Sequence, residues 1–143
     1  MGNAWIPKET NTHQDHVIAH VIGTMPLAYT VIDEALYLLL DIGFVWNIFL
    51  NGEMGLLPHP VAVAEMEVDS ETRDQIEADI DALLSGRSEG LRRLSQLPVN
   101  CQISEIGFFA AEDRRLLLLT GEQANLEIET SLGKRTIKVS ARD

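Results

Sequence analysis

The most apolar stretch of the chain, residues 35–52, predicts a hairpin around which the core is built. Asp41 and Gly43 interrupt the run, so it falls short of the roughly 18 uninterrupted apolar residues that a membrane-spanning helix needs. A soluble helix here would be apolar on every face and would carry Gly43 at a cost of about 1 kcal/mol. Asp41-Ile42-Gly43 and Asn51-Gly52 instead favour turns. We therefore predict two strands, apolar on both faces, that must be covered on both sides.

The segments that flank this hairpin are predicted to be strands after a polar lead-in. Residues 1–14 contain Pro7 and several loop-forming residues. Residues 16–23 and 27–32 are short and rich in β-branched residues, which favours strands, and residues 33–34 are predicted to form a tight turn. Residues 61–68 form a further extended candidate. Strands joined by such short polar turns predict an antiparallel meander.

The apolar period then changes from two to 3.6, which predicts two central helices over residues 69–97. Asp69 or Ser70 caps the first helix, Gly86 ends it, and its apolar positions share one face. Ser88 is predicted to cap a second, shorter helix that ends at Pro98. The apolar positions of the two helices are Ile76, Ile80, Leu83, Leu84 and Leu91, Leu94, Leu97.

Residues 101–141 return to a period of two and predict a second meander. Its strands are residues 101–109, with a bulge at Gly107, then 114–120, 125–130 and 135–140. In the last hairpin the inward positions are predicted to be Leu126, Ile128, Ile137 and Val139. Glu127 and Glu129 are expected to meet Arg135 and Lys138 across that pair.

The order of elements predicts an α+β fold, with mainly antiparallel strands in an N-terminal and a C-terminal meander and two central helices packed on the sheet. The 143 residues are expected to form a single domain over residues 1–143. The sequence contains no internal repeat and no low-complexity segment that we detect. The hydrophobic content of 45% is that of an ordinary globular protein, which argues against disorder.

The net charge of −11 is distributed unevenly and limits the classes of partner. Residues 1–72 contain one basic residue, Lys8, against ten acids. Because so few basic residues cannot neutralise phosphates, we expect no nucleic-acid binding and no association with membranes. The acidic surface either confers solubility or serves a basic protein partner. A single cysteine, Cys101, and a start without a signal-peptide pattern predict a cytoplasmic location.

His16 and His20 are the candidate metal ligands. They are four residues apart, so they lie on the same side of either a strand or a helix. With His13 or Asp15 they could hold a divalent metal, and imidazole suits zinc, copper or nickel. The alternative is a solvent-facing element with two histidines, because the spacing places no third ligand. We expect no other cofactor, since the glycines are scattered and form no phosphate loop.

The aromatic residues Tyr37, Trp46 and Phe49 form the candidate ligand or interface site, because most aromatic residues lie in the first 50 positions. They are predicted either to belong to the core, to anchor a subunit interface, or to line a pocket. Cys101 has apolar and no basic neighbours, which is typical of a buried structural thiol. The carboxylate pairs, residues 33–34 and Glu65 with Glu67, are expected to be solvated.

Two functional hypotheses follow. The leading one is a small acidic cytoplasmic protein without catalytic activity that acts through protein–protein contacts as a regulatory or adaptor-like homodimer. The alternative is a small-ligand or metal-binding module, or a small enzyme, that uses the aromatic hairpin and His16 with His20. The absence of a catalytic signature favours the hypothesis without catalytic activity, and enzymatic activity stays open under the alternative.

Overall fold

A computed structural model describes residues 4–142, which form ten strands and three helices. The strands are β1 Ile6–Pro7, β2 Pro26–Ile32, β3 Ala35–Leu40, β4 Phe44–Phe49, β5 Met54–Pro58, β6 Ser95–Gln96, β7 Ile103–Ala111, β8 Arg114–Gly121, β9 Asn125–Ser131 and β10 Thr136–Arg142. The helices are α1 Thr12–Val21, α2 His59–Glu65 and α3 Ser70–Leu84. The predicted α+β fold with antiparallel strands is confirmed. None of the helices in residues 4–142 is long and apolar enough to cross a membrane.

The strands form two five-stranded antiparallel sheets. The N-terminal sheet has the order β5-β4-β3-β2-β6, and the C-terminal sheet has the order β1-β7-β8-β9-β10. One core lies between the two sheets and includes Leu38 and Trp46 from one sheet and Leu117 and Leu126 from the other. A second core lies between the opposite face of the N-terminal sheet and helices α2 and α3. The hairpin β3–β4 is therefore buried on both faces within one chain, by the second sheet and by the helices.

The two sheets follow the same meander plan. Strands β2 to β5 are joined by connections of two, three and four residues, and strands β7 to β10 are joined by connections of the same lengths in the same order. In each meander the first strand carries a bulge near its start, at Leu27 and at Ser104. Each two-residue turn begins with an acidic residue in the left-handed backbone conformation, Asp33 at φ 54° and Glu112 at φ 58°. The structure thus contains a repeated unit.

A short sequence similarity accompanies this repeat. Residues 33–40 are Asp-Glu-Ala-Leu-Tyr-Leu-Leu-Leu, and residues 112–119 are Glu-Asp-Arg-Arg-Leu-Leu-Leu-Leu. Leu38 and Leu40 in the first segment, like Leu117 and Leu119 in the second, face the core between the sheets. The similarity covers only a turn and one apolar strand. The pattern of apolar and polar residues along the whole chain therefore does not reveal the repeat.

The prediction of a strand over residues 16–23 is wrong, because the chain forms helix α1 there. Asn11 caps the helix in a capping box with Gln14, and these two residues lie inside the segment predicted to be a polar lead-in. Val17 and Val21 are buried four residues apart, which is the helical period. The lead-in also supplies β1, and Trp5 beside it contacts the guanidinium of Arg114 at 4.8 Å from the ring centroid.

The extended segment predicted over residues 61–68 is also wrong, because helix α2 occupies most of it. Pro60 lies in the first turn, where proline is tolerated since its missing N–H would be unpaired. Ala62, Val63 and Met66 are buried against the N-terminal sheet. Packing of this face outweighs the β-branched composition that favoured a strand.

The first central helix is confirmed, with Asp69 as its cap, whereas the second one, over residues 88–97, is wrong. Asp69 accepts a hydrogen bond from the amide of Thr72. Hydrogen bonds from the side chain and then from the backbone of Thr72 hold the pKa of the Asp69 carboxyl below its usual value. Residues 85–94 form an irregular segment that ends in β6. Its Leu91 and Leu94 still pack in the core under the helices. Their spacing of three residues therefore indicated buried positions correctly, although the backbone there is not helical.

Two details of the C-terminal meander differ from the prediction. The bulge lies at Ser104, while Gly107 is regular and its position is covered by the ring of Phe109. Glu127 and Glu129 do form ion pairs, but with other residues than Arg135 and Lys138. Glu127 pairs with Arg142 and Glu129 pairs with Arg114, while Arg135 pairs with Glu34.

Candidate functional site

A groove lies where helix α1 runs beside the N-terminal sheet, and we call it the histidine groove. Its volume is about 390 Å³. One side is a stripe of α1, and the other is formed by the β3–β4 turn, β4 and β5. The lining residues are His13, His16, Val17, His20, Ile42, Phe44 and Leu56. The groove is therefore apolar at its base and carries three imidazoles on one side.

The N-terminal end of α1 is fixed to the start of β5 by three side chains. The Nε2–H of His13 donates to the carbonyl oxygen of Met54 at 3.0 Å, and Gln14 donates to the carbonyl oxygen of Gly52 at 3.0 Å. Asn11 Nδ2 donates to the carboxylate of Glu53 at 3.2 Å. One of the acceptors is the first residue of β5 and the other two lie in the loop before it, so these bonds hold the helix against the edge of β5.

The C-terminal end of α1 is fixed to the other sheet. The amide of Gly23 donates to the carbonyl oxygen of Ile103 at 2.7 Å, and the amide of Ile103 donates to the carbonyl oxygen of Thr24 at 2.8 Å. Val17 and Val21 are buried in the core between the sheets. Because both ends of the helix are bonded to sheets, the wall that it contributes to the groove is preformed.

The three groove histidines lie at spacings of three and four residues, so they follow one stripe of the helix. All three side chains are exposed, and that of His59, at the start of α2, is half-buried near Gly43. Because a carbonyl oxygen only accepts, the His13 ring must carry its hydrogen on Nε2 to make the bond to Met54. His16 and His20 make no such bond within residues 4–142, so both nitrogens of each ring are without a partner there.

The histidines form no closed metal site with other side chains of residues 4–142. His16 and His20 share one side of the helix, as their spacing predicts, and His13 lines the same groove. Within residues 4–142, however, no group of three or more histidine, cysteine or acidic side chains converges to hold a metal. Asp15, the other predicted ligand, accepts a hydrogen bond from Thr10. The residues present fit a hydrogen-bonding site better than a metal centre.

The aromatic candidates Tyr37, Trp46 and Phe49 are not brought together. Trp46 is fully buried between the two sheets, and Tyr37 packs on the opposite face of its sheet, towards the helices. Phe49 is 42% exposed at the end of β4, near Leu132. The opposite directions of Tyr37 and Trp46 follow from the register, in which Tyr37 is opposite Asn47 and Leu38 is opposite Trp46.

The Tyr37 hydroxyl is unsuited to acid–base chemistry near neutral pH. Burial raises its pKa, a hydrogen bond with Asn47 opposes that rise, and the carboxylates of Asp33, Glu67 and Glu65 add to it. The phenol therefore stays protonated. The acids Asp33, Glu65 and Glu67 are themselves exposed, so no pair of them is arranged to divide acid and base roles.

Cys101 lies in the core between the sheets with no exposed surface. Burial raises the pKa of its thiol, and the backbone at Leu126 only partly opposes the rise. Its Sγ contacts the carbonyl oxygen of Leu119 at 3.5 Å. A buried, protonated thiol of this kind packs as a small apolar side chain and is a poor nucleophile.

Sequence reasoning missed the apolar half of the groove and one buried acid. Ile42, Phe44 and Leu56 come to the histidines only through the packing of α1 on the sheet, and no spacing in the sequence indicates this contact. Asp79 is 3% exposed and accepts the backbone amides of Arg92, Arg93 and Leu94. Asp79 lies on the apolar face of α3 beside Ile76 and Ile80. An acid at such a position indicates a buried carboxylate that needs hydrogen-bond donors, and the sequence contained this signal.

The acidic charge is concentrated on the helical layer. Residues 59–84, which form α2 and α3, contain eight acids and one base. Residues 103–142, which form the C-terminal meander, contain six acids and six bases. Residues 59–84 therefore carry a charge of −7 (one base less eight acids), out of −11 for the chain, and residues 85–94 beside them contribute +2 (three bases less one acid). The opposite sheet is balanced. A groove of about 590 Å³ on this layer is lined by three acids of α3, by Glu89 and by one base, Arg92.

Comparisons with protein families, with curated protein sequences and with solved structures gave no significant match. The functional conclusion therefore rests on the geometry of this chain.

Proposed function

We propose that this protein binds, without catalysis, a small amphipathic molecule in the histidine groove. The ligand has an apolar body and an anionic head group, such as a carboxylate. The observation that carries the proposal is the alignment of three imidazoles along one side of an apolar groove. The volume of about 390 Å³ lies within the range of about 300–1,000 Å³ that is usual for small-molecule sites.

The apolar body is expected to lie against Val17, Phe44 and Leu56. Val17 is buried, and the other two side chains are half-buried, so a ligand would remove further apolar surface from water. Ile42 closes the turn end of the groove and is 52% exposed. An exposed isoleucine at the mouth of an apolar groove offers a contact that the chain itself leaves open.

The head group is expected to contact His16 and His20. An imidazole N–H donates to a carboxylate, and a protonated imidazole adds an attractive charge, so these groups favour an anion over an ammonium. Neither ring is held by a hydrogen bond within residues 4–142, so both can turn towards a ligand. This supports recognition of the head group by hydrogen bonds and not by a metal.

Substitution of Ile42 by aspartate is expected to abolish binding of octanoate, the probe for this site. A carboxylate at the mouth of the groove repels the probe and removes an apolar contact. Leu132→Asp is the matched control, because Leu132 is also an exposed residue of a β-turn, is 43% exposed, and lies outside the groove. Chemical-shift changes in an octanoate titration, followed by heteronuclear NMR, measure both affinities.

The head group is tested with octanoate, octanamide and octylamine on the wild-type chain and on the His16→Ala/His20→Ala double variant. Octanoate is expected to bind most tightly, and the double variant is expected to lose about tenfold in octanoate affinity, the size of one charge-assisted hydrogen bond. Tighter binding of octylamine, or equal losses in Ile42→Asp and Leu132→Asp, would contradict the proposal.

A second candidate function is contact with a basic protein through the acidic helical layer, which the charge distribution favours. Glu77 and Asp81 are exposed one turn apart on α3. If this layer is the binding face, Glu77→Lys/Asp81→Lys should weaken binding of a lysine-rich peptide far more than Glu105→Lys/Glu122→Lys, which changes the net charge equally. Fluorescence anisotropy measures both, and equal losses would mean that only net charge matters.

A further inference from the structure

Strand β10, Thr136–Arg142, is a full-length strand at the edge of a sheet. It pairs with β9 over all seven residues. It is the last strand in the order of the C-terminal sheet. The other sheet edges in residues 4–142 differ from it: β5 is flanked by helix α1, and β1 and β6 are only two residues long. The β10 edge therefore presents a row of backbone donors and acceptors to a further strand.

The inner row of β10 consists of apolar side chains at the margin of the core. Ile137 and Val139 pack against the core between the sheets and stay half-buried, and Ala141 is exposed. A strand added to this edge would extend that core and cover these side chains. β10 contains neither proline nor a bulge, which are two of the usual means of blocking an edge.

Pairing about Val139 is the register that matches all seven residues of β10 with themselves, and in it the outer row opposes no like charges. If two copies pair antiparallel about Val139, then Lys138 of one copy is opposite Ser140 of the other, and Thr136 is opposite Arg142. Moving the axis to Lys138 would place two lysines opposite each other, and moving it to Ser140 would place Lys138 opposite Arg142. Both alternatives oppose like charges, and a shift by an odd number of residues would mix the two faces of the strand.

We propose that β10 is a homodimer interface, in which two copies pair antiparallel about a twofold axis at Val139. The two five-stranded C-terminal sheets then form one continuous sheet of ten strands. The contact is isologous, because the same seven residues face each other in both directions. Lys138, a residue that often protects an edge, lies on the solvent side in this register and faces a neutral serine.

Sedimentation velocity on the full chain from micromolar to millimolar concentration tests this proposal. The wild-type chain is expected to reach twice its mass of 15.9 kDa. Ser140→Lys places an ammonium opposite Lys138 of the partner subunit at two symmetric positions and is expected to raise the dissociation constant about tenfold. Ser140→Glu places a carboxylate at the same positions and is expected to lower it.

The two variants also control for folding. Their expected effects on the stability of the single chain are opposite in sign to their expected effects on the dimer. Ser140 is opposite Glu127 on β9, so a lysine there is favourable within the chain and a glutamate is unfavourable. A loss of dimer in Ser140→Lys alone therefore reports the contact between copies. A monomer at every concentration, or a dimer that both variants leave unchanged or weaken alike, would overturn the proposal. None of these outcomes depends on the histidine groove.

Discussion

Replacing Trp46 with alanine is expected to lower the free energy of unfolding by about 3–5 kcal/mol, the usual range for a buried large aromatic residue. Trp46 has no exposed surface and lies between the two sheets with Leu38 and Leu117. Removing the indole leaves a cavity bounded by two hydrogen-bonded sheets, which cannot collapse freely to fill it. Urea denaturation followed by far-UV circular dichroism measures the change.

Phe49→Ala is the matched control for this prediction, since Phe49 lies on the same strand but is 42% exposed. It is expected to cost less than about 1 kcal/mol, because surface substitutions have small effects. Equal losses in Trp46→Ala and Phe49→Ala would contradict the position of Trp46 between the sheets.

Trp46→Phe separates the contribution of the ring's packing from that of its buried N–H group. The indole N–H is buried and has no acceptor within residues 4–142, so it carries a desolvation penalty that phenylalanine removes. That gain offsets part of the volume lost, and the expected cost is below about 1.5 kcal/mol. A loss as large as that of Trp46→Ala would show that the N–H is paired in solution.

Replacing Asp79 with alanine is expected to cost about 2–4 kcal/mol, because several backbone amides lose a charged acceptor at once. The Asp79 carboxylate lies 2.7 Å from the amide nitrogen of Arg93 and 2.9 Å from that of Leu94. The amide of Leu94 belongs to a buried residue, so water cannot readily replace the lost bond. Chemical denaturation measures the cost, and hydrogen exchange at Leu94 reports whether the segment detaches.

Asp81→Ala is the control for this second prediction, because Asp81 lies two residues further along α3 and is exposed. Its expected effect lies within about 0.5 kcal/mol. Asp79→Asn should fall between the two, since the amide keeps one acceptor oxygen but directs a donor at the remaining N–H groups. Asp79→Ala and Asp81→Ala that destabilise alike would mean that Asp79 does not hold residues 92–94.

The carboxylates of α3 and its cap fall into two groups, those that bond within the chain and those that face solvent. Asp69 and Asp79 use their carboxylates within the chain, at the helix cap and under the segment that follows. Glu77 and Asp81 are exposed, and within residues 4–142 their carboxylates make no hydrogen bond or ion pair that the fold needs. The helical layer is therefore more acidic than its own hydrogen bonds require, and this excess supports the proposal of a basic partner.

The hairpins and the first central helix could be predicted from the sequence because their information is local. Turn residues at Asp33-Glu34, Asp41-Ile42-Gly43 and Asn51-Gly52 mark connections that the structure contains. Asp69 caps α3 at the predicted position. In each case the physical cause, a backbone conformation or a cap, involves residues within four positions of one another.

The misassigned segments failed because burial alone does not specify the backbone. Residues 16–23 are β-branched, but a capping box at Asn11 and contacts with two sheets make them a helix. Residues 88–97 carry leucines at helical spacing, but Asp79 holds their backbone in an irregular path. The decisive partners, Met54, Ile103 and Asp79, are distant in sequence, so tertiary contacts override the local preference.

The sequence by itself determined the antiparallel meanders, the acidic character and the same-side placement of His16 and His20, because alternation, charge and residue spacing are local properties. Only the tertiary structure decided what covers the central hairpin, that Trp46 and Tyr37 face different cores, and that the histidines meet Ile42, Phe44 and Leu56 in a groove. Those outcomes depend on how two sheets and three helices bury apolar surface together, which is a property of the whole chain.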